Sequence, residues 1–216
     1  PLKKIPKPER KNYYHVRGNY PVSNKGYTQV EIAVSQTDLN TQSSVDDGDN
    51  VGMAYNLGLG WEKITLFQGI NLDFDLKHWR RGRNFHSFQN DHDPSFYSKW
   101  NIYEFQSGFE ELTEGKLTLT FKNAGFLKTT LAEYGNSKSA KQQFLTESEF
   151  SFKYIPKLKS DLNLVRSPSE NFYRSDNQLI FLSGYFHPFV EIISEGLEEK
   201  YSFKHIKVGF FWNSKN

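Results

Sequence analysis

The stretch "VGMAYNLGLGWE", residues 51–62, puts Val51, Met53, Tyr55, Leu57, Leu59 and Trp61 on one side of an extended chain. Gly52, Ala54, Asn56, Gly58, Gly60 and Glu62 fall on the other. Successive side chains of a strand point to opposite faces, so this alternation predicts a strand with one bulky apolar face and one face of mostly small residues. Period two recurs along the chain, and helical spacing is hard to find. "YTQVEIAVSQ" sets Val30, Ile32 and Val34 against Gln29, Glu31 and Ser35. "ITLFQGINLDFDLKHW" reads as one strand about twice the usual length, with Ile64, Leu66, Ile70, Leu72, Phe74 and Leu76 opposed by Thr65, Asn71, Asp73, Asp75 and Lys77. "KLTLTFK" alternates strictly, and Asn123 to Gly125 offer a turn back into "FLKTTLAEY". "FLTESEFSFKY" opposes Phe144, Phe150, Phe152 and Tyr154 to Glu147, Glu149, Ser151 and Lys153. With "KSDLNLVR", "QLIFLSGYFHPFVEII" and "YSFKHIKVGFFW", the count is about ten strands.

A chain of 216 residues suits one domain. The expected division is an extended N-terminal segment or single strand over 1–26, one β domain over 27–212 and a tail over 213–216. The net charge of +2 supplies no field that would gather nucleic acid, so no nucleic-acid partner is expected. Absence of Cys excludes disulfides, thiolate metal sites and cysteine nucleophiles together. No run approaches the ~20 apolar residues of a membrane-spanning helix. The chain starts with Pro rather than Met, as a processed or trimmed form would. Aromatic residues reach 16% while the mean hydropathy stays at -0.69. That pairing fits alternating strands, in which each apolar residue is flanked by polar ones.

Two containers suit long alternating antiparallel strands. A soluble sandwich buries the apolar face, whereas a membrane barrel turns it toward lipid and keeps a polar lumen. Glycine facing water only weakens a strand, but Gly52, Gly58 and Gly60 in a narrow lumen would make room for larger side chains. Polar stretches at 37–50, 80–95 and 167–177 read as long loops, while Glu62-Lys63 and 155–159 read as tight connections. Tyr27, Trp61, Trp79, Trp100, Tyr154, Tyr201 and Trp212 gather near strand ends, where interfacial aromatics sit.

On "VGMAYNLGLGW", "INLDFDLKHW" and the closing "HIKVGFFW", the chain resembles the bacterial outer-membrane β-barrel proteins, over most of residues 27–212. The resemblance implies an all-β, antiparallel up-and-down barrel of about ten strands in a bacterial outer membrane. Its role would be that of a small-solute channel or a structural membrane protein, with the bilayer and outer-membrane lipids as partners. Asn56, Asn71, Asp73, Asp75, Lys77, Glu147 and Glu149 are the expected lumen-facing set. With so few strands, side chains are expected to fill much of the interior. The alternative is a soluble β-sandwich or jelly roll, extracellular or otherwise, acting as a binding or capsid module.

Catalytic signals are weak. The stretch 77–95 gathers His78, Arg80, Arg81, Arg83, His86, Asp91, His92 and Asp93, and His86, Asp91, His92 and Asp93 are its metal-ligand candidates. Their spacing matches no established motif, so a solvated surface loop is the expectation. "DDGDN" at 46–50 lacks the acidic position that would complete a calcium loop. Outer-membrane phospholipases place His and Ser two residues apart on one strand face, but His86 and Ser87 are adjacent and would point to opposite faces. Asp75 to Lys77 fits half of a metal-dependent nuclease signature without a convincing second carboxylate. No cofactor is expected, and an enzyme is disfavoured.

Overall fold

The computed structural model describes residues 8–38, 41, 48, 50–87, 94–102, 108–153, 155–182, 186–198 and 200–212. Alternating segments separated by turn residues form hairpins one after another. The strands are β1 (Arg10–Pro21), β2 (Gly26–Asp38), β3 (Val51–Phe67), β4 (Ile70–Arg81), β5 (Glu110–Phe121) and β6 (Gly125–Asn136). They continue as β7 (Ala140–Phe152), β8 (Ile155–Arg166), β9 (Asn171–Ile180), β10 (Phe186–Leu197) and β11 (Tyr201–Trp212). All eleven lie in one sheet, each paired with its sequence neighbours in the order β1 to β11. Every pairing is antiparallel. The expected segment 1–26 therefore supplies a full strand, and the sheet has eleven strands rather than about ten. The up-and-down order is observed. No pairing joins β1 to β11 among the described residues. A sandwich or jelly roll needs two packed sheets and non-sequential neighbours, and this topology has neither.

Four of the expected boundaries move: residues 155–159 are the start of β8 rather than a connection, and the other three shift for a local reason. "ITLFQGINLDFDLKHW" is a hairpin and not one strand: Gly69 takes φ +84°, a left-handed conformation open to glycine, and the chain reverses between Phe67 and Ile70. Glu62-Lys63 is no connection, because β3 runs through it with a shift in register between Trp61 and Ile64 and Lys63 at φ 52°. Positions 167–177 hold a tight turn, closed by Ser167 N–H donating to Glu170 O at 2.9 Å, and then β9. The expected reversal at Asn123 to Gly125 is observed, with φ 61° at Asn123 and 136° at Gly125.

Cross-strand partners share a face, so the register sorts the side chains. One face carries Val30, Ile32, Met53, Leu57, Leu76, Leu117, Leu131, Phe144, Leu158, Leu164, Val190 and Val208. The other carries most of the strand charges together with the small residues of β3. The burial is inverted relative to a soluble sheet. Val51, Met53, Leu57, Leu131 and Val208 are exposed, while Gly52, Ala33, Ala54 and Ala132 on the polar face are buried.

What covers the polar face is the chain that follows β4. A short helix there, α1 (Pro94–Lys99), carries Phe96 and leads into Trp100. Trp100 joins Ala132, Tyr134, Val165, Phe172 and Leu197 in a buried cluster, with Phe96, Ile102 and Leu112 packed against it. A second, smaller cluster joins Phe85 to Ala33 and Ala54. The core therefore sits between this segment and the loop-end third of the sheet.

Candidate functional site

On the polar face, the register brings opposite charges side by side along β4 to β11. Lys77 lies opposite Glu114, Asp75 opposite Lys116, and Lys128 opposite Glu147. Lys128 Nζ donates to both carboxylate oxygens of Glu147, at 3.0 and 2.9 Å. Lys157 and Lys159 reach Glu149 at 2.5 and 3.4 Å, and Lys207 reaches Glu191 at 3.4 Å. Tyr27 donates its hydroxyl to Asp75, which also lies 3.5 Å from Lys77. Asp73 accepts from the Lys63 backbone N–H at 2.6 Å, next to the irregularity in β3. Asn71 stands 3.2 Å from the Thr65 hydroxyl. Asn56 helps line a recess of about 290 Å³ with Tyr13, Glu31, Trp79 and Phe85.

All seven residues expected to share a lumen, Asn56, Asn71, Asp73, Asp75, Lys77, Glu147 and Glu149, thus occupy one face of the sheet. The signs alternate along most of it, and the exception is the row Glu147, Asp161 and Asp176, which stand opposite one another on β7, β8 and β9.

The glycines of β3 explain how the covering segment is seated. A Cβ on Gly52 would lie 2.1 Å from Phe85 N and 2.2 Å from Asn84 O, so only glycine admits that backbone. A Cβ on Gly60 would lie 2.7 Å from the Tyr27 ring. Gly58 meets only Gln29 Cβ, at 3.4 Å. The face of small residues is therefore a seat, chiefly for the loop backbone and one tyrosine. Further round, side chains take up the carbonyls that a helix end leaves without partners. Lys141 Nζ donates to Trp100 O at 3.2 Å and to Asn101 O at 2.8 Å. Gln143 and Asn163 amides donate to Lys99 O at 3.0 and 2.9 Å.

A buried ion pair completes the loop end. Glu110 has 0% exposure, accepts from Tyr134 at 3.2 Å and meets Arg81 at 3.2 Å. Sequence reading did not single out Glu110 or Tyr134, whose burial depends on the loop that crosses above them.

The chemical candidates fare differently. His86 is placed by its backbone N–H, which donates to Ser35 Oγ at 2.9 Å, while Asp91, His92 and Asp93 lie outside the described residues. Among the described residues no group of three or more His, Asp and Glu is arranged to hold a metal. Asp75, the carboxylate of the half-signature of a nuclease, accepts from Tyr27 and lies 3.5 Å from Lys77. Most of "DDGDN" lies outside the described residues. Of the aromatics expected at strand ends, Trp61 and Trp212 are on the apolar face. Tyr27, Trp79 and Tyr201 are on the polar face, and Trp100 is buried under the loop. Tyr154 lies outside the described residues.

A different aromatic row occupies the tight-turn end of the apolar face: Tyr20, Phe67, Phe181, Phe186, Phe210 and Trp212, all exposed. Tyr20 and Phe67 each lie within two residues of a turn, a signal that the alternation hides. No family model, curated protein or solved structure matches this chain.

Proposed function

We propose that the chain forms the wall of a bacterial outer-membrane β-barrel, with its apolar face on lipid and its polar face inward, serving as a small-solute channel or a structural membrane protein. One observation carries the reading: bulky apolar side chains such as Leu131, at 62% exposure, stand open on the face whose opposite side buries Gly52, Ala54 and Ala132. In water that arrangement loses the hydrophobic stabilisation of every open side chain, about 25 cal/mol per Å² left uncovered. Lipid restores it.

Three further features support the same reading. Seven strands have 12 residues each, above the ~9–11 that a tilted strand needs to cross hydrocarbon. The long connections, between β2 and β3 and between β4 and β5, leave from one end of the sheet, and tight turns occupy the other. The aromatic row from Tyr20 to Trp212 sits at the tight-turn end, where a girdle meets headgroups.

The interior of such a barrel is narrowed by α1 and Trp100, so solutes would pass beside the seated segment, if at all, only when small. Mixed charge on the polar face predicts little ion selectivity.

The test is extraction and gel mobility of the chain expressed with its native upstream sequence. Dependence on detergent, with mobility that changes on boiling, is the expected result. A monodisperse protein in plain buffer overturns the membrane reading.

A further inference from the structure

The sheet ends in two open edges, β1 and β11, and neither has a strand paired to its outer side among the described residues. Three observations bear on what would pair with them. The first is direction. In an antiparallel meander all odd-numbered strands run the same way, so β1 and β11 are parallel to each other. Pairing them directly would need a parallel ladder, whereas one intervening strand would be antiparallel to both.

The second is charge. Each strand from β2 to β10 contains at least one Asp or Glu. The two edge strands contain none. Instead β1 places Lys11, His15 and Arg17 on the polar face, and β11 places His205 and Lys207 there. His15 meets Glu31 at 2.8 Å and Lys207 meets Glu191 at 3.4 Å, each on the inner neighbour, while Lys11 meets Glu9, which precedes β1, at 3.2 Å. Joining β1 to β11, or either edge to its own copy across a two-fold axis, would bring together two strands that carry cations and no acid of their own.

The third is the form of the edges. Proteins that keep an edge unpaired shorten it, bulge it, interrupt it with Pro or place charge on it, and of these devices β1 and β11 carry only the charge. Here β1 and β11 are 12 residues each, in unbroken register with their neighbours, and Pro occurs only at the end of β1 as Pro21. Their apolar faces continue the outer surface with Tyr14, Val16 and Tyr20 on one side and Ile206, Val208 and Phe210 on the other.

From these we infer that β1 and β11 together form a docking slot for one strand of a partner polypeptide, which runs antiparallel to both edges. Its residues alternate, with Asp or Glu on the side facing Arg17 and Lys207 and apolar groups on the side continuing Val16 and Val208. The inference rests on the membrane reading in one respect: hydrocarbon offers no water to satisfy an open edge. The direction and charge arguments hold in either solvent.

The probe is a synthetic peptide of about ten residues alternating Val and Glu, compared with one alternating Val and Lys. It is added to the wild-type chain in detergent, or in buffer if the chain extracts without detergent, so solubility and docking are read separately. Amide hydrogen exchange at alternate residues of β1 and β11 is the readout. The Val-Glu peptide is expected to slow both edges about tenfold or more, with the Val-Lys peptide inert. Protection on both edges without any peptide overturns the inference: independence of protein concentration would assign closure to β1 and β11 of one chain, and dependence on it to a second copy. Equal protection by both peptides, or by neither, also overturns it.

Discussion

Leu131→Arg separates a lipid-facing surface from a water-facing one. Leu131 sits at the middle of β6, opposite Gly115 on one side and Phe144 on the other, and is 62% exposed. Because the side chain is already open, no cavity or buried charge is created in a protein surrounded by water. An exposed substitution of that kind stays within roughly 0.5 kcal/mol. If the face meets lipid, Arg near the bilayer midplane costs ~2–4 kcal/mol, a factor of about 30 to 1,000 in the folding equilibrium. The cost falls with depth, so Thr113→Arg, on the same face but nearer the loop end of β5, should cost ~0–1 kcal/mol. The assay is urea unfolding of the chain in lipid vesicles, followed by tryptophan fluorescence, with the midpoint and slope compared across wild type, Leu131→Ala and the two Arg variants. A Leu131→Arg loss below about 0.5 kcal/mol, or a Thr113→Arg loss as large, refutes the assignment of this face to lipid.

Trp100→Ala removes the anchor of the loop-end cluster and should lower stability by about 3–5 kcal/mol in the same unfolding assay, with increased exchange at Lys99 to Ile102. Glu110→Gln breaks the ion pair with Arg81 at a site with no exposure and should cost about 3–5 kcal/mol; the Glu110→Gln/Arg81→Met double variant should lose less than the two singles added together. Gly52→Ala should destabilise by about 1–3 kcal/mol, because its methyl group meets the backbone of Asn84 and Phe85, while Gly58→Ala, with only Gln29 Cβ at 3.4 Å, should be near neutral by thermal denaturation.

Alternation made the strands and their two faces legible, since side-chain direction follows from strand geometry alone. That is why seven scattered polar residues, from Asn56 in β3 to Glu149 in β7, were assignable to a common face before any pairing was known. Boundaries were less legible where one residue decides. Gly69 in left-handed conformation turns a single apolar run into two strands, while the register shift between Trp61 and Ile64 passes through a position that reads as a turn. The seat for the loop was half legible. Small residues at Gly52 and Ala54 announced that something bulky approaches, but nothing local to β3 says that it is the backbone of Asn84 and Phe85. Residue pairs such as Lys141 with the carbonyls of Trp100 and Asn101, 41 and 40 positions apart, are set by how the segment after β4 lies on the sheet.

An amphipathic sheet must cover its apolar face with a second layer. Among the described residues the covering segment, α1 with Trp100 and Phe85, lies on the polar face, and it finds apolar partners there because that face is locally apolar at Ala54, Ala132, Tyr134, Val165, Phe172 and Leu197. The described part of the chain thus places its internal layer on the side that already has charge pairs and glycine seats. Meanwhile Leu57, Leu131, Leu158 and Leu164 remain open on the other side. A water-soluble sheet with a spare helix and several aromatics would gain more by laying them over that leucine row. The choice of side carries an argument that alternation alone does not: among the described residues the apolar face is left uncovered, which is what the proposed lipid contact requires.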